Sequence, residues 1–175
     1  MIDMKDTMAI ILTWPVGQCH VSIPAWLIQH GIDFLDPRAV QTVCCGDQVI
    51  AVNRSIRDMF LAGDKSNLIM IENDLRLGDE TDAFLEADGD MVCVEYERDN
   101  CRPEEGRWDS LSAFHMGMWR STREVLKNTG PPWMVKVYDK DYCSPHGCIC
   151  EPLAKQVINR GFTVRHAGKA LHGEF

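Results

Sequence analysis

The chain has 175 residues, enough for one domain with a full core, and an apolar share of 45% that is ordinary for a globular protein. Its formal net charge of −8 comes without a local basic patch, which argues against nucleic acid as a partner. No apolar run reaches the ~18 residues of a membrane span. The opening stretch MIDMKDTMAIILTW sets acids against a short apolar run and does not read as a signal peptide. The expected setting is therefore cytoplasmic, with the eight cysteines as reduced thiols.

Met8 to Thr13 reads as a first strand, ended by the breaker Trp14-Pro15-Val16-Gly17. A helix starts near Pro24 and carries AWLIQH to a stop at Gly31. Val40 to Cys45 reads as a second strand, ended by Gly46-Asp47. Gln48 to Leu61 follows as a helix. Val49, Val52, Ile56, Met59 and Phe60 fall at helical spacing on its buried face, with Asn53, Arg54 and Arg57 off that face. Leu68 to Ile71 is a short apolar run of the kind buried on both faces of a sheet, and it leads straight into Glu72, Asn73 and Asp74.

Asp79 to Ala87 reads as a short helix with acids in its first turn, and Asp90 to Tyr96 as a strand. Asp99 to Asp109 is a polar loop, and Ser110 to Trp119 is apolar with His115 and Gly117 inside it. Ser121 and Glu124 have capping-box spacing for a helix through about Asn128, broken by Gly130-Pro131-Pro132-Trp133. A last helix runs from about Glu151 to Arg160, with Pro152 in its first turn and Gly161 at its end. Phe162 to His166 reads as a final strand, and His172 lies beyond it. The order strand, helix, strand, helix, strand predicts an α/β fold with a largely parallel sheet, as one domain over 1–175.

Acids do not sit unpartnered inside a buried strand, because burying unpaired charge is costly. They can sit at its carboxyl end, where open α/β sheets place their ligand crevice. Glu72 and Asp74, one residue apart, offer hard oxygen ligands to Mg²⁺ or Mn²⁺. A polar turn after a core strand is the plainer reading of the same residues. A rival from another class is a Cys₃His zinc site built from Cys143, His146, Cys148 and Cys150. A second pair of ligands is missing nearby, so free thiols are the preferred reading there.

Several stretches, in order, resemble the GT-A-type glycosyltransferases, the nucleotide-sugar-dependent transferases that carry a DXD motif. AIILTWPVG is similar to that family's first strand and nucleotide loop. AVNRSIRDMFLAGDKSNLIMIENDLRL is similar to its helix, strand and acidic triplet, with Glu72-Asn73-Asp74 on the triplet. DAFLEADGDMVCVEY resembles the following helix and strand, and HMGMWRSTREVL with GPPWM resembles the acceptor-side segment. The resemblance implies a Rossmann-like GT-A three-layer α/β/α sandwich with a mostly parallel central sheet. It also implies transfer of a sugar from a UDP- or GDP-sugar to an acceptor with the help of Mn²⁺ or Mg²⁺.

Carried over residue by residue, the resemblance implies metal ligation by Asp74, with Glu72 near ribose or metal and a histidine from beyond the last helix. His172 is first choice for that histidine and His166 the spare. Trp14, Pro15, Asn53, Arg54, Glu72 and Asn73 fall on the nucleotide side. His115, Gly117 and Trp133 fall on the sugar or acceptor side, with a core role for Trp133 equally open. The base for an acceptor hydroxyl is assigned to Glu151, with Asp141 and then Asp139 behind it. The chain departs from the family where the triplet opens with Glu and where CSPHGCICEPLAK replaces the usual Glu-Asp pair. A GT-A-like domain that binds carbohydrate or nucleotide without turnover is therefore the second reading.

Overall fold

The computed structural model describes residues 2–13, 18–35, 48–97, 117–136 and 151–172. Strand β1 (Thr7–Leu12) is followed by helix α1 (Ser22–Gln29) and the short strand β2 (Asp33–Phe34). Helix α2 (Gln48–Arg54) continues without a break into a π-helical stretch, Ser55–Phe60, where Leu61 N–H donates to Ile56 O at 2.8 Å. Strands β3 (Asn67–Glu72) and β4 (Leu75–Arg76) come next, then a 3₁₀ turn (Asp79–Thr81) and helix α3 (Ala83–Glu86). Strands β5 (Met91–Glu97) and β6 (Met118–Thr122), helices α4 (Arg123–Thr129) and α5 (Glu151–Asn159), and strand β7 (Val164–His172) complete the order.

The seven strands among the described residues form one sheet in the order β2-β1-β3-β6-β5-β7-β4. β1, β2, β3, β5 and β7 point one way, while β6 and β4 run against them. The alternation of side chains along each strand feeds two cores. Ile10, Leu12, Leu68, Met70, Met91, Cys93 and Trp119 face one side, under α2, α4 and α5. Ala9, Ile11, Ile69, Ile71, Val92, Val94 and Met118 face the other, under α1 and α3. This is a Rossmann-like α/β sandwich of three layers, with the largely parallel sheet in the middle.

Most expected elements are present. Val52, Ile56 and Phe60 are buried on α2 and its π-helical continuation, and Val49 and Met59 pack partly against the same core. The expected strand at 40–45 and the loop at 99–109 lie outside the described residues. Three local corrections follow from contacts distant in sequence. β2 was not expected, because Asp33–Phe34 is too short to show a period and becomes a strand by pairing with Met8 and Ala9. β6 spans the end of the apolar stretch and the expected helix start at Ser121, and it pairs antiparallel with both β3 and β5. The cap of α4 is Thr122 rather than Ser121: its Oγ1 accepts from Val125 N–H, while Ser121 Oγ donates to Asp90 O.

β7 begins later than expected and runs longer. Cys93 pairs with His166, but Glu95 pairs with Lys169, so Ala167 and Gly168 together oppose Val94. This β-bulge moves the even-numbered side chains of β7 from one face to the other. Val164 packs on the core under α2 and α5, whereas Ala170 packs on the core under α1 and α3. Gly168 has φ +73°, and a Cβ there would lie 2.8 Å from Thr81 O and 3.0 Å from Phe84 N. Only glycine fits both the backbone angle and the approach of the 3₁₀ turn. Gly168→Ala should therefore cost about 2–4 kcal/mol in a urea unfolding curve, from left-handed strain plus overpacking. Gly78→Ala, with nothing within 4 Å of its added Cβ, should shift stability by less than about 0.5 kcal/mol.

Candidate functional site

The carboxyl ends of β1 and β3 lie side by side, with Leu12 opposite Glu72 as the last pair of the ladder. Glu72 N–H donates to Gly117 O at 2.7 Å, which brings the start of β6 to the same place. The chain then turns at Asn73 and Asp74 and crosses to the far edge of the sheet. There Leu75 pairs with His172 and Arg76 with Leu171. That register sets Asp74 beside His172, with Nε2 of the imidazole 3.1 Å from Oδ2 of the carboxylate. Both side chains are mostly shielded, at 28% and 24% exposure.

The bulge at Gly168 decides which of the two C-terminal histidines arrives. His166 pairs with Cys93 before the bulge, and His172 shares the parity of Ala170 after it. The two therefore face opposite sides of the sheet, and His172 is the one at Asp74. Asp74 Oδ1 is buried and accepts no hydrogen bond among the described residues. A buried carboxylate oxygen left this way is costly and calls for a partner. Asp74 Oδ2 and His172 Nε2 are two electron-pair donors 3.1 Å apart. They can be joined by a proton on the ring or by a cation. Adjacent ligands of an octahedral ion with bonds of about 2.1 Å stand about 3 Å apart, so the pair fits Mg²⁺ or Mn²⁺.

Glu72 does not join them in a cluster. Among the described residues, no three His, Cys, Asp or Glu side chains converge as a metal-ion group. Glu72 is still held in the β1–β3 ladder, while Asp74 sits in the turn beyond it, so the two carboxylates are not aimed by one strand period. Asn73, between them, is 8% exposed. Its Nδ2 donates to Gln18 O at 2.9 Å, and its carbonyl accepts from His20 N–H at 2.8 Å. Asn73 thus ties the segment after β1 to the acidic strand end. Beside His20, burial pushes the Cys19 thiol upward, so it stays protonated at neutral pH.

Two expected ligand contacts are corrected. Asn53 spends its whole amide on structure. Nδ2 donates to Val49 O and Met134 O, and Oδ1 accepts from Trp133 N–H and Met134 N–H, all between 2.8 and 3.2 Å. It clamps the segment after the helix break onto α2, and no donor is left for a nucleotide. Trp133 is 2% exposed in the core, with its indole N–H on Leu126 O at 2.9 Å, so no ring face is open to a sugar. Arg54 is exposed on α2, and its charge adds to the hydrogen bond from Arg57 that chiefly lowers the Asp58 carboxyl. Trp14, Pro15, His115, Asp139, Asp141 and the cysteine cluster at 143–150 lie outside the described residues. Glu151 opens α5, and its side chain is likewise outside them. Sequence reasoning passed over His20, whose only local sign is its place two residues before the first residue of α1.

No protein-family model matches the chain, and no curated protein matches it. Two solved structures align with the chain. The crystal structure of A197 from STIV aligns over 94% of this chain and 82% of its own, with a TM-score of 0.56 at 15% identity, and shows the fold alone. The nucleoside-diphosphate-sugar pyrophosphorylase from Vibrio cholerae RC9 aligns over 96% of this chain and 72% of its own. The TM-score of that alignment is 0.38 at 12% identity. Among the described residues, no helix is long and apolar enough to cross a membrane.

The clamp role of Asn53 is open to direct measurement. Asn53→Ala should lower stability by about 1–3 kcal/mol in urea unfolding, because it strands two backbone N–H groups. An unchanged midpoint would show that the four hydrogen bonds carry nothing.

Proposed function

We propose that the chain is a metal-dependent glycosyltransferase of GT-A type, moving a sugar from a nucleoside-diphosphate sugar to an acceptor hydroxyl. The observation that carries this reading is Asp74, whose buried Oδ1 accepts no hydrogen bond and whose Oδ2 lies 3.1 Å from His172, at the carboxyl end of a Rossmann-like sheet. Open α/β sheets place ligands at that end. The acidic turn also falls on the triplet that carries the resemblance to the family.

In this reading Asp74 and His172 hold Mn²⁺ or Mg²⁺, and Glu72 lies on the ribose side. The bound cation supplies charge neutralisation for the diphosphate that leaves when the glycosidic bond to it breaks. Asp74 and His172 would be a small set of protein ligands, of the kind common where Mg²⁺ is held together with a phosphate substrate. Gly117, whose carbonyl fixes Glu72, stands where the donor sugar or acceptor would enter. Deprotonation of an attacking hydroxyl falls to an acid of the segment leading into α5, with Glu151 first and Asp141 second. A domain that binds donor without turnover differs only in that last step.

Calorimetric titration of UDP and GDP, each with Mn²⁺ and then with EDTA, tests the site. One nucleotide should bind wild-type protein only with metal. Asp74→Ala should weaken that binding on the order of a hundredfold, and His172→Ala on the order of tenfold. Binding that ignores EDTA, or that survives Asp74→Ala, would defeat the metal site. Donor binding with no transfer or hydrolysis across a broad acceptor set would favour the binding domain.

A further inference from the structure

The segment between β1 and α1 carries a hydrogen-bond relay that sets the protonation of one imidazole. Leu77 N–H donates to Ser22 Oγ at 2.9 Å. Ser22 Oγ lies 2.8 Å from His20 Nδ1, and Ser22 N–H donates to the same Nδ1 at 3.2 Å. A backbone N–H can only donate, so Nδ1 must be the accepting nitrogen. In the neutral ring the proton then sits on Nε2. With Leu77 N–H already donating to Ser22 Oγ, the serine hydroxyl proton is left to point at Nδ1 as well. Nε2–H has no acceptor among the described residues.

The backbone of His20 is bonded to the candidate site, through the 2.8 Å contact from its N–H to Asn73 O. Asn73 separates Glu72 from Asp74, so the backbone that carries this imidazole is anchored at the acidic strand end. A lysine or arginine there would pair with the carboxylates and compete with a cation for them. A neutral imidazole N–H can donate to a ligand oxygen without doing so.

We propose that His20 is a ligand-binding residue, donating from Nε2–H to an oxygen of the nucleoside diphosphate held at the carboxyl end of β1 and β3. This rests on the transferase reading and adds to it a neutral donor fixed in one tautomer by Ser22 and Leu77. The competing role is purely local: Nδ1 accepts from Ser22 N–H and so caps α1.

Isosteric amides separate the two roles. Glutamine can place an N–H donor where Nε2 stands, whereas asparagine can keep only an acceptor near Nδ1. Titrations of UDP and GDP with Mn²⁺ are made on wild type, His20→Ala, His20→Gln and His20→Asn at a pH above the histidine range. Ala and Asn should weaken binding about fivefold to tenfold, and Gln should restore most of it. Thermal melts should rank the variants differently, with Asn closest to wild type. Full affinity in His20→Asn with loss in His20→Ala would reduce His20 to a helix cap. Full affinity in His20→Ala, with Asp74→Ala still defective, would overturn the His20 assignment and leave the transferase reading standing. Failure of wild type to bind either nucleotide would remove both. Imidazole ¹⁵N spectra of the free protein give a separate check, since a proton found on Nδ1 of His20 would overturn the relay whatever the nucleotide does.

Discussion

Strand β3 is buried on both faces from Leu68 to Ile71, and the rest of the molecule is arranged around that constraint. Leu68 and Met70 enter one core, and Ile69 and Ile71 the other. A charge anywhere in this run would be desolvated without a partner. The first acid, Glu72, appears where the ladder with β1 ends, and the chain turns immediately after it. The position of the acidic turn is thus a consequence of burial. Its neighbours follow from which strands flank β3: β1 in parallel, delivering the segment at 18–20, and β6 antiparallel, delivering Gly117.

Two arginines secure the frame around the site, Arg120 within β6 and Arg123 at the first position of α4 directly after it. Arg120 is buried, and its guanidinium donates to Phe84 O at 2.8 Å and to Ala87 O, at the end of α3. Arg123 donates to Phe60 O, Leu61 O and Lys65 O, at the end of the π-helical stretch. Each guanidinium lies over a phenylalanine ring, Phe84 at 5.5 Å and Phe60 at 4.7 Å. The last carbonyls of a helix lack partners within it and carry partial negative charge, so a cation that hydrogen-bonds them satisfies both needs. Burial depresses the Arg120 guanidinium, which remains charged because arginine starts so far above neutrality. α3 is thereby fastened to β6, and the end of the π-helical stretch to the start of α4 that follows β6.

The Asp74–His172 pair joins residues nearly a hundred positions apart, and three separate features must agree to form it. β4 must cross to the sheet edge, Leu75 must take its register with His172, and the bulge at Gly168 must turn the end of β7 to the correct face. Gly168 is pressed against Thr81 O and Phe84 N, so the aim of His172 is coupled to the packing of the 3₁₀ turn and α3. The turn itself is acidic, carrying the carboxylates of Glu72 and Asp74 two residues apart.

Fold class was legible in the sequence because it rests on period and punctuation. The apolar runs at 8–13 and 68–71, the helical face of Val52, Ile56 and Phe60, and the stops at Gly31, Gly130 and Gly161 all mark local preferences that tertiary packing leaves intact. The acidic turn was legible for the same reason, as a charge following a buried strand. β2 and β6 were not, because strands of such length or composition exist through their partners. For Trp133 the core role is the one that holds, and the nucleotide-side role implied for Asn53 does not, because neither a resemblance nor spacing shows what polar atoms meet; Asn53 meets a backbone segment about eighty residues on. The resemblance ranks His172 before His166, but period cannot separate them, since both lie at even positions of one strand and the one-residue bulge sets them on opposite faces. By itself the sequence determined the layers and the end of the sheet where chemistry can sit, because burial and period act within a few residues. Tertiary structure alone decided which side chains meet there, because register, bulge and crossover act between strands that the chain order keeps apart.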